Sequence, residues 1–221
     1  MKGMSRPGQR YIPALRYDWL TPLYDPILRW TLRESAFKRR LVEQARIEPG
    51  HRVLDLGCGT ATLTLLLRQA HPRAQVARLD GDPKVLAIAR AKAARVGVTL
   101  ALLRAMAFEL PFTDCSLDRV LSSLLFHHLT RENKLRALRE VLRVLRPGGD
   151  LHLADWGKPQ DCWMRAAFLL VQSLDGFGTT VDNARGLLPH LIREAGFSGV
   201  RESSRYKTMF GSLSLYQAQK P

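Results

Sequence analysis

The sequence is short of several things, and each shortage excludes a class of protein. None of its apolar runs approaches the ~18 residues needed to cross a bilayer as a helix, so no membrane-spanning helix is expected. It has only three cysteines, Cys58, Cys115 and Cys162. An odd, widely spaced set rules out a disulfide framework and fits reduced thiols in a cytosolic protein. No cysteine pair accompanies the histidines, and the adjacent His127 and His128 lack the i, i+4 spacing of a zinc-binding helix, so no metal is expected. The opening stretch MKGMSRPGQRYIPALRYDW lacks the apolar centre and small-residue cleavage site of a secretory signal, which points to the cytoplasm. Acidic residues are also scarce: 20 Asp and Glu against 34 Lys and Arg leave a formal charge of +14. A field that positive draws RNA, a phospholipid surface or an acidic small molecule. Only Lys38-Arg39-Arg40 is a compact basic cluster, which is too little for a dedicated nucleic-acid arm.

What is present is one core's worth of chain, since 221 residues with 46% apolar content suit a single domain with small additions. From residue 51 onward, strand-length apolar runs alternate with longer periodic segments. HRVLDLG, QVARLD, VTLALLRA, LDRVLSS and DLHLADW read as strands. TLTLLLRQA, PKVLAIARAKAARVG and ENKLRALREVLRVL read as the helices between them, the last stopped by Pro147-Gly148-Gly149. This alternation predicts right-handed crossovers and a mostly parallel, doubly wound α/β sheet. Residues 11–46 are helical in pattern and rich in aromatics. AAFLLVQSL and ARGLLPHLIREAG are further helices, the second leading into a sixth strand. The tail around Met209-Phe210-Gly211 reads as a hairpin whose last strand closes a seven-stranded sheet in antiparallel sense. The whole, 1–221, is expected to be one domain: a helical lid (11–46), a cofactor-binding core (50–156) and substrate-side helices with the last strands (157–221).

The turn in VLDLGCGTA decides the ligand class. A dinucleotide fingerprint wants a third glycine where Thr62 stands, and a phosphate-cradling loop wants a GK[ST] ending that is missing. Asp55, at the mouth of the turn, would repel a pyrophosphate and suits an ammonium or sulfonium group. Asp80 ends the second strand, on the same edge of the sheet, where ligands of open parallel sheets bind; there it can accept from ribose hydroxyls. S-adenosylmethionine carries all three features. Asp82, before Pro83, reads as a helix N-cap. Tyr17 or Tyr24 of the aromatic segment could reach the methionine carboxylate.

VLDLGCGTA, RLDGDP, ELPF, SLDRVLSS and EVLRVLRPGG, in that order and spacing, resemble the class I S-adenosylmethionine-dependent methyltransferases. Within them the chain is similar to the branch holding the menaquinone/ubiquinone-pathway C-methyltransferases and many small-molecule methyltransferases. The resemblance is dense over about 50–156. It implies that Gly57 and Gly59 admit the methionine part, Asp55 holds its ammonium, and Asp80 holds the ribose. Gly81 and Asp82 would line the adenine side, and Ser122 would lie beside the methionine part. Two departures stand out. Ala61 replaces a usual glycine, and Met106-Ala107 stands where the family often has Asp-Ala, so Met106 would pack on adenine while backbone groups read it.

Methyl transfer needs alignment and, for a hydroxyl or acidic carbon, a base. His127, following the fourth strand, and Asp155, ending the fifth, are the candidate dyad, as in similar O-methyltransferases. Phe168, Leu169, Leu170 and Phe177 suggest apolar walls for a small or lipid-like acceptor, with peripheral contact to an anionic membrane. A nucleic-acid methyltransferase is the rival reading. SSLLFHHL stands where base-amino enzymes carry (D/N/S)-P-P-(Y/F), so no specific nucleic acid is expected. A protein that binds the cofactor without transfer is the other alternative. The acceptor and the oligomeric state are left open.

Overall fold

The computed structural model describes residues 34–221, the side chains of Leu174 and Asp175 apart. The expected lid therefore lies outside the described residues, with Tyr17, Tyr24 and the other aromatics, except for its last part, helix α1 (Glu34–Gln44).

Seven strands form one sheet: β1 (Arg52–Leu56), β2 (Gln75–Asp80), β3 (Leu103–Arg104), β4 (Leu117–Ser123), β5 (Leu145–Trp156), β6 (Ser198–Thr208) and β7 (Gly211–Gln219). Their order is β3-β2-β1-β4-β5-β7-β6. β7 runs antiparallel to both of its neighbours, and the other pairings are parallel. The helices are α2 (Thr62–Ala70), α3 (Pro83–Arg95), α4 (Arg131–Val144), α5 (Cys162–Asp175), α6 (Phe177–Ala184) and α7 (Leu188–Glu194).

Alternation along the strands sorts side chains to two faces. Leu54, Leu56, Val120, Leu151 and Leu153 bury against Leu138 and Val141 of α4 and Leu191 and Ile192 of α7. Val53, Leu121, Ala154, Leu213 and Leu215 bury on the other face against Phe37 and Leu41 of α1, Leu67 of α2 and Phe168 of α5. Asp55 thus falls on the α1/α2 face and Asp155 on the α4 face, both at the carboxyl ends of central strands.

Three elements differ from expectation. Strand three shrinks from residues 98–105 to Leu103–Arg104, because Leu100, with Val98 and Leu102, packs on Ala61, Ala89 and Ala93 instead of extending an edge pairing. Strand five starts earlier, at Leu145, and absorbs Pro147-Gly148-Gly149 beside an irregularity in its pairing with β4. The helix expected over 184–196 shortens to α7, because Gly186 turns at φ +71°. A separate helix, α6, forms from FGTTVDNA.

Candidate active site

The turn after β1 is built by backbone. Gly57 and Gly59 hold φ +70° and +53°, a left-handed region that suits glycine. The Gly57 and Cys58 amides donate to the Leu79 carbonyl at 2.8 and 3.0 Å, which ties the turn to β2. A Cβ at Gly57 would come within 2.9 Å of Leu125. Ala61, the non-glycine departure, also sits at positive φ (64°) as the N-cap of α2. Burial, with the charges of Asp55 and Asp80, pushes the Cys58 thiol up, so it is an inert filler of the turn.

Two carboxylates face this turn. Asp55 is buried and accepts from Thr64 Oγ1 at 2.5 Å through Oδ2. Its other oxygen, Oδ1, is buried with no hydrogen-bond partner. Burial pushes its carboxyl up to about 6, against the Thr64 hydrogen bond and the charge of Lys38, which pull it down. Lys38, from the basic cluster, is buried and ion-paired with Glu34. Asp80 accepts the Gly59 and Asp82 amides, each at 2.9 Å, through different oxygens. Burial raises its carboxyl, while the amides lower it. Each Asp80 oxygen keeps a second lone pair for a hydroxyl.

The other expected contacts are distributed as follows. Asp82 is the N-cap of α3, accepting from the Lys84 amide at 2.8 Å. The Met106 sulfur rests on Gly81, and Ala107 is buried beside it in the loop that follows β3. The Ser122 hydroxyl donates to the Leu56 carbonyl at 2.8 Å, so it bridges β4 and β1. Phe168 is a core side chain, whereas Leu169, Leu170 and Phe177 are exposed and wall no enclosed space.

On the opposite face, β5 ends in Asp155. The turn Phe126–His128 that follows β4 brings His127 against it, Nδ1 to Oδ1 at 2.8 Å, both side chains buried. The carboxylate also accepts the Phe126 amide at 2.8 Å, the Trp156 amide at 2.7 Å and Asn183 Nδ2 at 3.2 Å. An acceptor-only carboxylate requires the imidazole proton on Nδ1, which places the basic lone pair on Nε2. His128 stacks beside His127 at 4.0 Å, but its Nδ1 is buried with no partner. Burial and the neighbouring imidazole hold His128 well below the usual histidine range.

Sequence reasoning missed the support behind this pair. Asn183 of α6 donates to Asp155 and also to the Trp156 carbonyl at 3.0 Å. Lys134 of α4 is fully buried and fixes α6 by donating to the Thr179 carbonyl at 2.5 Å and to Asp182 at 3.5 Å. Burial lowers its ammonium, while Asp182 and Asp155 support the charge.

Two carboxylates thus lie beside the glycine turn, one with an unpartnered oxygen, and a histidine–aspartate pair lies at the same end of the sheet. Residues 53–149 match the methyltransferase domain family. The chain is 38% identical to a demethylmenaquinone methyltransferase of Thermus thermophilus over 148 residues, 66% of this chain and 63% of that enzyme. It is 30% identical to an uncharacterized methyltransferase of Synechocystis sp. over 93% of both chains. A solved S-adenosylmethionine-dependent methyltransferase from Aquifex aeolicus superposes with a TM-score of 0.62, covering 83% of this chain and 89% of that one; at 19% identity this is a likeness of fold. The chain belongs to the class I S-adenosylmethionine-dependent methyltransferases.

Proposed function

We propose that this methyltransferase methylates a small, quinone-like amphipathic acceptor, working from the cytoplasm at an anionic membrane surface, with His127 as proton acceptor. The observation that carries the reading is the 2.8 Å His127–Asp155 contact at the same end of the sheet as the glycine turn. Similarity to the Thermus demethylmenaquinone enzyme supports the acceptor class. The bound donor supplies a methyl group already activated on a sulfonium. The residues present suit it, since the orphan Asp55 oxygen can take an ammonium and Asp80 two hydroxyls. Gly57 and Gly59 give room for the methionine part. Gly81, Asp82, Met106 and Ala107 stand on the adenine side, and Ser122, whose hydroxyl ties β4 to β1, stands beside the methionine part.

The remaining task belongs to the protein. An acceptor hydroxyl or ring carbon must lose a proton as it attacks. His127 Nε2 takes that proton, and Asp155 stabilises the resulting imidazolium and fixes the ring. Incubation with methyl-labelled donor and either a short-tailed demethylated quinone or bulk RNA tests the reading. Label should enter the quinone, and His127→Ala should lower turnover by roughly 10²–10⁴-fold with donor affinity unchanged. His128→Ala should cost much less. Label in RNA alone would replace the acceptor class, and a larger loss from His128→Ala would reverse the assignment. Donor binding without transfer to either would favour a binding protein.

A further inference from the structure

Helix α5 is apolar on both sides. Its inner side buries Met164, Phe168 and Val171. Its outer side leaves Trp163 87% exposed, with Leu169 and Leu170 exposed alongside. Trp163 and Leu170 are seven residues apart and share one face. Two further exposed apolar side chains lie on the neighbouring elements. Phe177, exposed, opens α6 directly after the helix, and Met209, 65% exposed, lies at the β6–β7 turn, whose Gly211 packs on Phe168 of α5. An exposed apolar face of this kind marks a surface for interaction rather than for solvent.

Charge selects the cover. On the segments that make the patch, 157–186 and 206–212, Lys158, Arg165, Arg185 and Lys207 are exposed. The acids of these segments are Asp161, which caps α5, Asp175, its last residue, and Asp182, which is buried, so four cations face three acids of which one is buried. Residues 1–33 carry six cations against two acids, and a second copy brings another +14, so either would meet this rim with like charge. Anionic lipid meets it with opposite charge, while an aromatic residue on a basic-rimmed apolar face suits the headgroup boundary.

We infer that the outer face of α5, with Phe177 and Met209, is the surface by which the enzyme docks on an anionic phospholipid membrane. The inference rests on the amphipathic-acceptor reading above and gives it a place. α5 runs through Gly176 into α6, and α6 carries the Asn183 that holds Asp155. The docking face and the helix behind the histidine–aspartate pair are thus consecutive in the chain.

The test uses the full chain without donor or acceptor, and vesicles of phosphatidylglycerol mixed with phosphatidylcholine or of phosphatidylcholine alone. The protein should sediment with the anionic vesicles, and high salt should weaken this. Trp163→Ser combined with Leu170→Gln should reduce partitioning by about tenfold or more. Brominated lipid should quench tryptophan emission in the wild type and less in Trp163→Phe. Calorimetry of donor binding checks that each variant is folded. Failure of the wild type to bind anionic vesicles would overturn the inference, as would equal binding by the double variant. So would a dimer, seen without lipid, that the double variant converts to monomer. Transfer to a short-tailed quinone without vesicles reports the acceptor reading separately, so either idea can fail alone.

Discussion

The two buried aspartates that end β1 and β5 share a depth in the sheet and differ in everything else. Asp155 accepts from two backbone amides, an imidazole and an amide side chain within 3.2 Å. Asp55 has one hydroxyl and an oxygen with no partner. A saturated buried carboxylate is a fixture that orients its neighbours, whereas an unsaturated one stores an unfavourable burial that a cation can relieve. On the function proposed above, Asp155 is the rigid group behind the proton acceptor and Asp55 the group left open for the ligand.

Removing the charge at each site should therefore have opposite consequences. Asp155→Asn should lower turnover by roughly 10²–10⁴-fold and destabilise the protein by about 3 kcal/mol, since several buried donors lose their acceptor at once. Donor affinity should hardly change. Equal stability by chemical denaturation would mean that the network is ornamental.

Asp55→Asn should weaken donor binding by about 1.5–3 kcal/mol, yet stabilise the ligand-free protein by about 1–3 kcal/mol at neutral pH. The same asymmetry sets a pH window. Because the Asp55 carboxyl lies near 6 when folded and 3.8 is its ordinary value, the folded state binds the extra proton between those values. This group's contribution to stability therefore rises as pH falls from about 6 towards 4, while donor affinity falls. Calorimetry and thermal melts across that range, compared with Asp55→Asn, check both signs. A pH-independent affinity would remove Asp55 from the ammonium.

The smallest effect concerns Ala61. Its left-handed backbone costs about 1–2 kcal/mol, which glycine would relieve. Glycine would also lose about 0.8 kcal/mol of methyl burial and about 0.5–1 kcal/mol in chain entropy. Ala61→Gly should thus melt within about 1 kcal/mol of the wild type, with donor affinity retained. A larger change would show that the methyl group on Ala89 and Ala93 shapes the turn.

The two halves also differ in how much their sequence reveals. The donor half is made of contiguous backbone, so VLDLGCGTA and RLDGDP spell out the turn, its strand and its acid. The acceptor half is assembled from side chains on four elements. His127 and Asp155 were readable only because one follows a strand and the other lies at the end of one. Asn183 was not, since FGTTVDNA has three β-branched residues and carries little helical signal, and Lys134, though on a legible helix, takes its partners from that same segment. Lys38 read as part of a solvated basic cluster, although the Glu34–Lys38 spacing, four apart on a helix, marks a pair that folds together. Strand three misled for a related reason: VTLALLRA is apolar enough to pair, but most of it packs on helices instead.

A side-chain approach also joins the halves. Leu125, two residues before His127, lies where a side chain at Gly57 would be. On the function proposed above, the loop that carries His127 therefore abuts the turn assigned to the donor. Occupying the turn should therefore narrow the positions open to His127, an entropic cost that the acceptor would otherwise bear on arrival. The two ligands should then favour one another by the same factor in either order, a reciprocity measurable by titrating each in the presence of the other. Leu125→Ala should abolish that coupling while leaving both individual affinities nearly intact.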